Sequence, residues 1–113
     1  TDLDLNAFNN AYFETGMGAP IYVWLVENAK DYGFCQPYTE KNILRPDGYE
    51  EEKWHWSYTP LAGEILHSAK SLLRDDLITG FQGAEVAKDL EVVQHYVLGI
   101  NPDCTAAEPD PDR

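Results

Sequence analysis

The sequence predicts an α+β domain in which helices pack on a small antiparallel sheet. Two short segments, DLDLN at 2–6 and KWHWSY at 53–58, alternate in a way that is typical of half-buried strands. Apolar residues recur at helical spacing between these segments and after them. The length of 113 residues suits one domain.

The first half of the chain is expected to hold a strand, a helix and a second short strand. The strand at 2–6 leads into a loop rich in Asn and Gly, and Pro20 suits the first turn of a helix. Gly33 suits the position just past the end of that helix, and residues 34–38 are expected to form a short strand. The helix is predicted from one largely apolar stripe, made of Ile21, Trp24, Leu25, Asn28, Ala29 and Tyr32.

The second half is expected to hold one strand and two helices. A polar loop at 39–51 contains the turn signal Pro46-Asp47-Gly48 and leads into the strand at 53–58, which Thr59-Pro60 should end. Apolar residues at helical spacing then predict a helix from about 61 to 73 and another from about 83 to 98.

The charge balance is acidic, with 20 carboxylates against 8 Lys and Arg and a formal net charge of −12. This balance argues against nucleic acid or an anionic membrane surface as the main partner. No apolar run approaches the roughly 20 residues of a membrane span. Residues 105–113 are rich in Pro and acid, so we expect a disordered acidic tail after a folded part at 1–104.

The two cysteines, Cys35 and Cys104, have no CxxC or CxxH spacing and so do not resemble zinc ligands. Two interpretations stay open, because sequence does not report distance. They form a disulfide, which fits a compartment outside the cytoplasm, or they are two separate buried thiols.

His55 is the most informative of the three histidines. His67 and His95 lie on the polar sides of predicted helices and suit solvated imidazoles. His55 instead lies between two tryptophans, three residues after Glu52. It could be a hydrogen-bonded core residue or part of a site. In a regular strand Glu52 and His55 would face opposite ways, so a shared site requires a turn or bulge near Glu52.

The acidic start of the chain does not form a calcium loop. Asp2, Asp4 and Asn6 have the opening spacing of such a loop, but Ala7 replaces the required Gly and Phe13 the required Glu. A carboxylate near a strand end can still bind a metal, although an ordinary strand aspartate is the commoner case. The chain also has no GxSxG, P-loop or GxGxxG motif.

Two segments of the chain resemble a known family. WLVENAKDYGF at 24–34 and GYEEEKWHWSY at 48–58 are similar to the VanY-like D-alanyl-D-alanine carboxypeptidases, which share a fold with hedgehog signalling domains and lysostaphin-type peptidases. The Glu-x-Trp-His motif of that family is matched by residues 52–55. Its Trp-Leu-x-x-Asn-Ala helix is matched by residues 24–29. The resemblance covers roughly residues 1–60, and the later helices look like an extension found in some relatives.

The resemblance implies a zinc site. The family binds zinc through the His and Asp of an earlier Ser-x-His-x-x-Gly-x-Ala-x-Asp motif and through the later His. Thr1-Asp2 aligns with the end of that motif, which implies Asp2 and His55 as ligands and Glu52 as the catalytic base. Asp4 is the weaker ligand candidate by this offset. The first histidine of the motif is expected before Thr1, in a missing upstream segment or a separate chain.

The function implied is that of a zinc-dependent carboxypeptidase, secreted or periplasmic, that hydrolyses the D-Ala-D-Ala or a related end of peptidoglycan peptides. Residues 1–104 would be the C-terminal part of such a domain. Trp56 could line the peptide groove or pack in the core, and packing is favoured for Trp54. The alternative function is a catalytically incomplete or inactive module that binds peptidoglycan.

Overall fold

A computed structural model describes residues 1–105, and it confirms the α+β class. Its sheet has three antiparallel strands in the order β1-β3-β2. These are β1 (Asp2–Asp4), β2 (Phe34–Cys35) and β3 (His55–Tyr58). Most of the tail expected to be disordered, residues 106–113, lies outside the described residues.

The first two predicted helices are present. Helix α1 (Gly18–Asn28) continues as a 3-10 helix (Ala29–Tyr32) and ends at Gly33, whose φ of 84° is left-handed as the C-terminal glycine requires. Helix α2 (Thr59–Leu72) begins two residues earlier than predicted. The reason is that Pro60 lies in the first turn of α2, where a missing N–H costs nothing, and does not merely end the strand.

The prediction of one continuous helix from about 83 to 98 is wrong. The chain instead forms a 3-10 turn (Ala84–Val86), a single turn α3 (Ala87–Leu90) and a π-helical turn (Val93–Val97). Glu91, with a left-handed φ of 49°, separates the last two. The N–H of Val93 donates to the Asp75 carboxylate at 2.8 Å. This long-range hydrogen bond uses the Val93 N–H, which in a continuous helix would donate to a backbone carbonyl of the helix itself.

The two faces of the sheet have different surroundings. The register pairs Leu3 with Trp56 and Asp4 with His55, so alternate residues point to opposite faces. Trp56 is 4 % exposed and its ring lies 6.3 Å from that of Tyr22 on α1, next to the buried Phe13. The opposite face carries Asp4 and His55.

The C-terminal segment, residues 93–105, is linked to β2 and the residues that follow it. Cys35 and Cys104 form a disulfide, with their Cα atoms 5.4 Å apart. The structure therefore has the disulfide and not two separate thiols. Asn101 donates its backbone N–H to Pro37 at 2.8 Å and its side-chain amide to the Gln36 carbonyl at 3.1 Å. No helix in the described part of the chain has the length and apolar character that crossing a membrane requires.

Candidate active site

A turn before β3 brings Glu52 and His55 together. The chain bends at Lys53-Trp54, with the His55 N–H donating to the Glu52 carbonyl at 3.4 Å. The Lys53 N–H is held by the Asn10 side chain at 2.9 Å. The Glu52 Oε2 atom consequently lies 3.9 Å from His55 Nδ1. The strand begins two residues later than predicted, and this late start supplies the turn that a shared site requires.

Strand β1 adds two carboxylates to the same face. Asp4 lies directly opposite His55 in the register, and its Oδ1 is 2.7 Å from His55 Nδ1. Asp2 lies one pair further along, with its Oδ2 3.6 Å from His55 Nε2. Both predicted zinc ligands, Asp2 and His55, are therefore neighbours. The weaker sequence candidate, Asp4, makes the closer contact.

Partial burial changes the acidity of the Glu52 carboxyl. Burial raises its pKa above the ordinary value of 4.5, because the charged form loses hydration. The neighbouring His55 lowers this pKa and the Asp4 carboxylate raises it. A carboxyl with a raised pKa binds a proton more readily than a solvated one, as a general base must.

Tyr38 contacts His55 and was not singled out from the sequence. Its ring centroid lies 5.3 Å from that of His55, with the planes inclined by 34°. Burial raises the pKa of the Tyr38 phenol, and the negative charge of Glu52 raises it further. The Tyr38 carbonyl also accepts the Glu52 N–H at 2.9 Å, so this residue helps to position Glu52. Tyr38 lies beside a loop, and no spacing of residues in the sequence indicates that it contacts His55.

The loop after Tyr38 is anchored by a buried arginine, Arg45, which no sequence pattern indicated. Arg45 is 2 % exposed, and its guanidinium donates to the carbonyls of Asp47 at 2.9 Å and Tyr49 at 2.8 Å. It also donates to the carbonyl of Thr39. These bonds tie the start of the loop to its end, immediately before the glutamates at 50–52.

The tryptophans differ in their surroundings. The Trp56 ring is buried and its Nε1 donates to the Lys53 carbonyl at 3.0 Å, so it has little surface to offer a ligand. This burial favours the packing role of Trp56 over the substrate-binding role that the sequence also allowed. Trp54 is half-buried and packs edge-on against Phe8, with 6.2 Å between ring centroids.

The donor set around His55 fits zinc only in part. Imidazole nitrogen and carboxylate oxygen are both ordinary zinc ligands. Within residues 1–105, however, no group of three or more His, Cys, Asp or Glu side chains is arranged to hold a metal ion. His67 is exposed on α2, and His95 pairs with Glu91 at 3.4 Å. A zinc ion held by His55 and one aspartate would need at least one further ligand.

Comparison with known proteins gives one match. A family model described as VanY, D-alanyl-D-alanine carboxypeptidase, matches residues 1–61, which is more than half of the 113 residues. The matched range contains β1, α1, β2 and β3 with all the residues of the site. No curated protein and no solved structure matches.

Proposed function

The chain belongs to the VanY family of D-alanyl-D-alanine carboxypeptidases, and we propose that it acts as a zinc-dependent carboxypeptidase on peptidoglycan peptides that end in D-Ala-D-Ala or a related pair. The observation that carries this proposal is the convergence of Glu52, Asp4 and Asp2 on the single imidazole of His55. Such a cluster would combine zinc ligands with a proton acceptor. The acidic net charge and the matched family both argue for a peptide rather than a nucleic acid as substrate.

We assign His55 and one aspartate of β1 as the zinc ligands supplied by this chain. The family alignment supports Asp2, whereas the 2.7 Å contact and the cross-strand pairing support Asp4. The 2.7 Å contact is a hydrogen bond to Nδ1, so an ion shared by Asp4 and this nitrogen would replace the proton between them, whereas Asp2 faces Nε2 at 3.6 Å. Asp2→Asn and Asp4→Asn form a matched pair of variants, and the one that loses zinc identifies the ligand.

Glu52 takes the role of general base. Bound zinc would supply a Lewis acid for the scissile carbonyl and lower the pKa of a water to about 7. Glu52 would accept the proton of the attacking water and pass it to the leaving amine. Its position 3.9 Å from His55 supports this role, because a base must lie close to the ligands without being one of them. Its raised pKa supports the same role.

We propose that a further ligand comes from outside the described residues. A catalytic zinc site has three protein ligands and one open position. The family motif supplies the third as a histidine upstream of the aligned aspartate, and we propose that an upstream segment or a separate chain provides it here. The disulfide supports a location outside the cytoplasm, secreted or periplasmic.

The test combines zinc content with hydrolysis. Elemental analysis of this chain and of a version extended upstream should give one zinc per molecule only in the extended version. That version should release D-alanine from a peptide ending in D-Ala-D-Ala, and Glu52→Gln should keep its zinc while losing about 10²- to 10⁴-fold in turnover. Glu51→Gln is the matched control, because Glu51 pairs with Lys53 at 2.9 Å and does not contact His55 in this way. A Glu52→Gln variant as active as the parent would exclude this role.

One observation favours a second function. The absence of a three-ligand metal group within residues 1–105 suits a module that binds peptidoglycan without cutting it. Binding of the extended protein to peptidoglycan that persists in a chelator, with no hydrolysis at any zinc concentration, would establish this alternative. Binding that is lost with the zinc would exclude it.

A further inference from the structure

A cleft of about 180 Å³ adjoins the candidate active site. Asp2, His55 and Tyr38 contribute to its lining, so it opens directly onto the cluster described above. Its volume lies below the range of 300 to 1,000 Å³ that is usual for pockets enclosing a whole ligand. A space of this size suits one side chain of a larger molecule.

A second part of the cleft lining, which we treat as one wall, comes from the part of the chain that the family model does not match. Six aliphatic residues form this wall, which we call the aliphatic wall: Ala62, Ile65, Leu66, Ala69, Val97 and Ile100. The first four belong to α2 and the last two to the C-terminal segment. All six follow residue 61, where the family match ends. None carries a charge or a hydrogen-bonding side chain.

The C-terminal part of the aliphatic wall is held firmly in place. Gly99, between Val97 and Ile100, approaches Gly48 so closely that a Cβ on Gly48 would lie 2.5 Å from the Gly99 carbonyl oxygen. Tyr96 packs on Tyr49 with 5.4 Å between ring centroids. The disulfide at Cys104 ties the same segment to β2. These contacts place Val97 and Ile100 beside the loop that precedes β3.

We propose that the aliphatic wall is the specificity-determining surface of the enzyme, and that the cleft receives a short, uncharged aliphatic side chain from a substrate residue next to the scissile bond. This inference rests on the proposed function. Each methylene buried against the wall is worth about 0.8 kcal/mol, or roughly a fourfold preference. An acidic side chain is disfavoured twice, because it meets an apolar wall and the carboxylate of Asp2.

The test changes the size of the cleft in the upstream-extended, zinc-loaded protein. Ala69→Leu adds bulk inside the cleft, and Ser68→Leu adds similar bulk at the neighbouring exposed position of α2. The kcat/KM is measured for peptides whose residues flanking the scissile bond are varied in turn from glycine through alanine to norvaline. Ala69→Leu should lower the norvaline-to-glycine ratio at one position by about tenfold or more, and Ser68→Leu should leave it unchanged. Equal ratios in both variants would overturn the proposal.

A second variant and a second readout protect the test against misfolding. Leu66→Ala enlarges the cleft and should shift the preference toward norvaline. In the Glu52→Gln protein, the methyl NMR signals of Ile65 and Ile100 should move when an alanine peptide is added and move less with its glycine counterpart. The aliphatic wall alone is refuted if the extended parent hydrolyses the peptides but neither the kcat/KM ratios nor the methyl signals depend on the substrate side chain. Signals that move in the Glu52→Gln protein, while the zinc-loaded extended parent hydrolyses none of the peptides, support the wall and refute the carboxypeptidase.

Discussion

The two faces of β3 differ in what surrounds them and in what their residues do. Trp56 points into a closed aromatic cluster with Tyr22 and Phe13, where it is 4 % exposed. His55, its neighbour in sequence, points to a face where Asp2 and Asp4 are 41 % and 46 % exposed. The same strand thus buries apolar surface on one side and gathers carboxylates around an imidazole on the other.

This difference separates the residues that stabilise the fold from those that carry the chemistry. Burial of large aromatic rings contributes strongly to the free energy of folding. Ion pairs between partly exposed groups contribute little, with a median of about 0 to 1 kcal/mol. Changes on the Trp56 face should therefore act on stability, and changes on the His55 face should act on activity and zinc binding.

The largest effect on stability is expected from Trp56→Ala. Removal of this ring should lower the free energy of unfolding by about 3 to 5 kcal/mol, because it leaves a cavity beside Tyr22. Urea denaturation followed by circular dichroism measures the change. Trp54→Ala, at a half-buried position against the exposed Phe8, is the control and should cost clearly less. Equal losses of unfolding free energy in the two variants would mean that Trp56 is no better packed than Trp54.

The next effect concerns the disulfide that fastens the C-terminal segment. Its cysteines are 69 residues apart in sequence, and the loop-closure entropy of such a link corresponds to about 4 kcal/mol. The double variant Cys35→Ala, Cys104→Ala should lose about this much stability in urea denaturation. Reducing agent should destabilise the parent similarly and leave the double variant unchanged. A parent that is insensitive to reduction would show that the link does not restrain the wall.

The smallest effect is a pH-dependent one at Glu52. Because burial raises the pKa of Glu52 in the folded state, its charge destabilises the fold at pH values above that pKa. The penalty disappears as the pH falls below the unfolded-state pKa of 4.5, because the carboxyl is then protonated in both states. In a chelator, Glu52→Gln should be slightly more stable than the parent at pH 7 and no different at about pH 4.

The matched control for this pH experiment is Glu51→Gln. This variant removes the carboxylate that pairs with Lys53, so it should gain no stability at pH 7. A Glu52→Gln variant that is less stable than its parent at neutral pH would contradict the burial of this carboxyl.

Local patterns in the sequence determined several features of this protein. The alternation of KWHWSY predicted β3, although the strand proper begins at His55. The apolar stripe and Gly33 predicted α1 and its end. The Glu-x-Trp-His motif identified the family that the match to residues 1–61 shows. These features depend on residues close together in the chain, where the 2.0 and 3.6 residue periods and the backbone preference of glycine act directly.

Only the tertiary structure decided the features that depend on distant residues. The contact between Asp4 and His55 follows from the register of two strands 51 positions apart. The break at Glu91 accompanies a hydrogen bond from Val93 to Asp75, and the helical spacing of 83–98 gives no sign of it. The aliphatic wall joins four residues of α2 to Val97 and Ile100 of the C-terminal segment, which the disulfide links to β2. A one-dimensional pattern does not encode which distant groups meet, because that depends on how the whole chain packs.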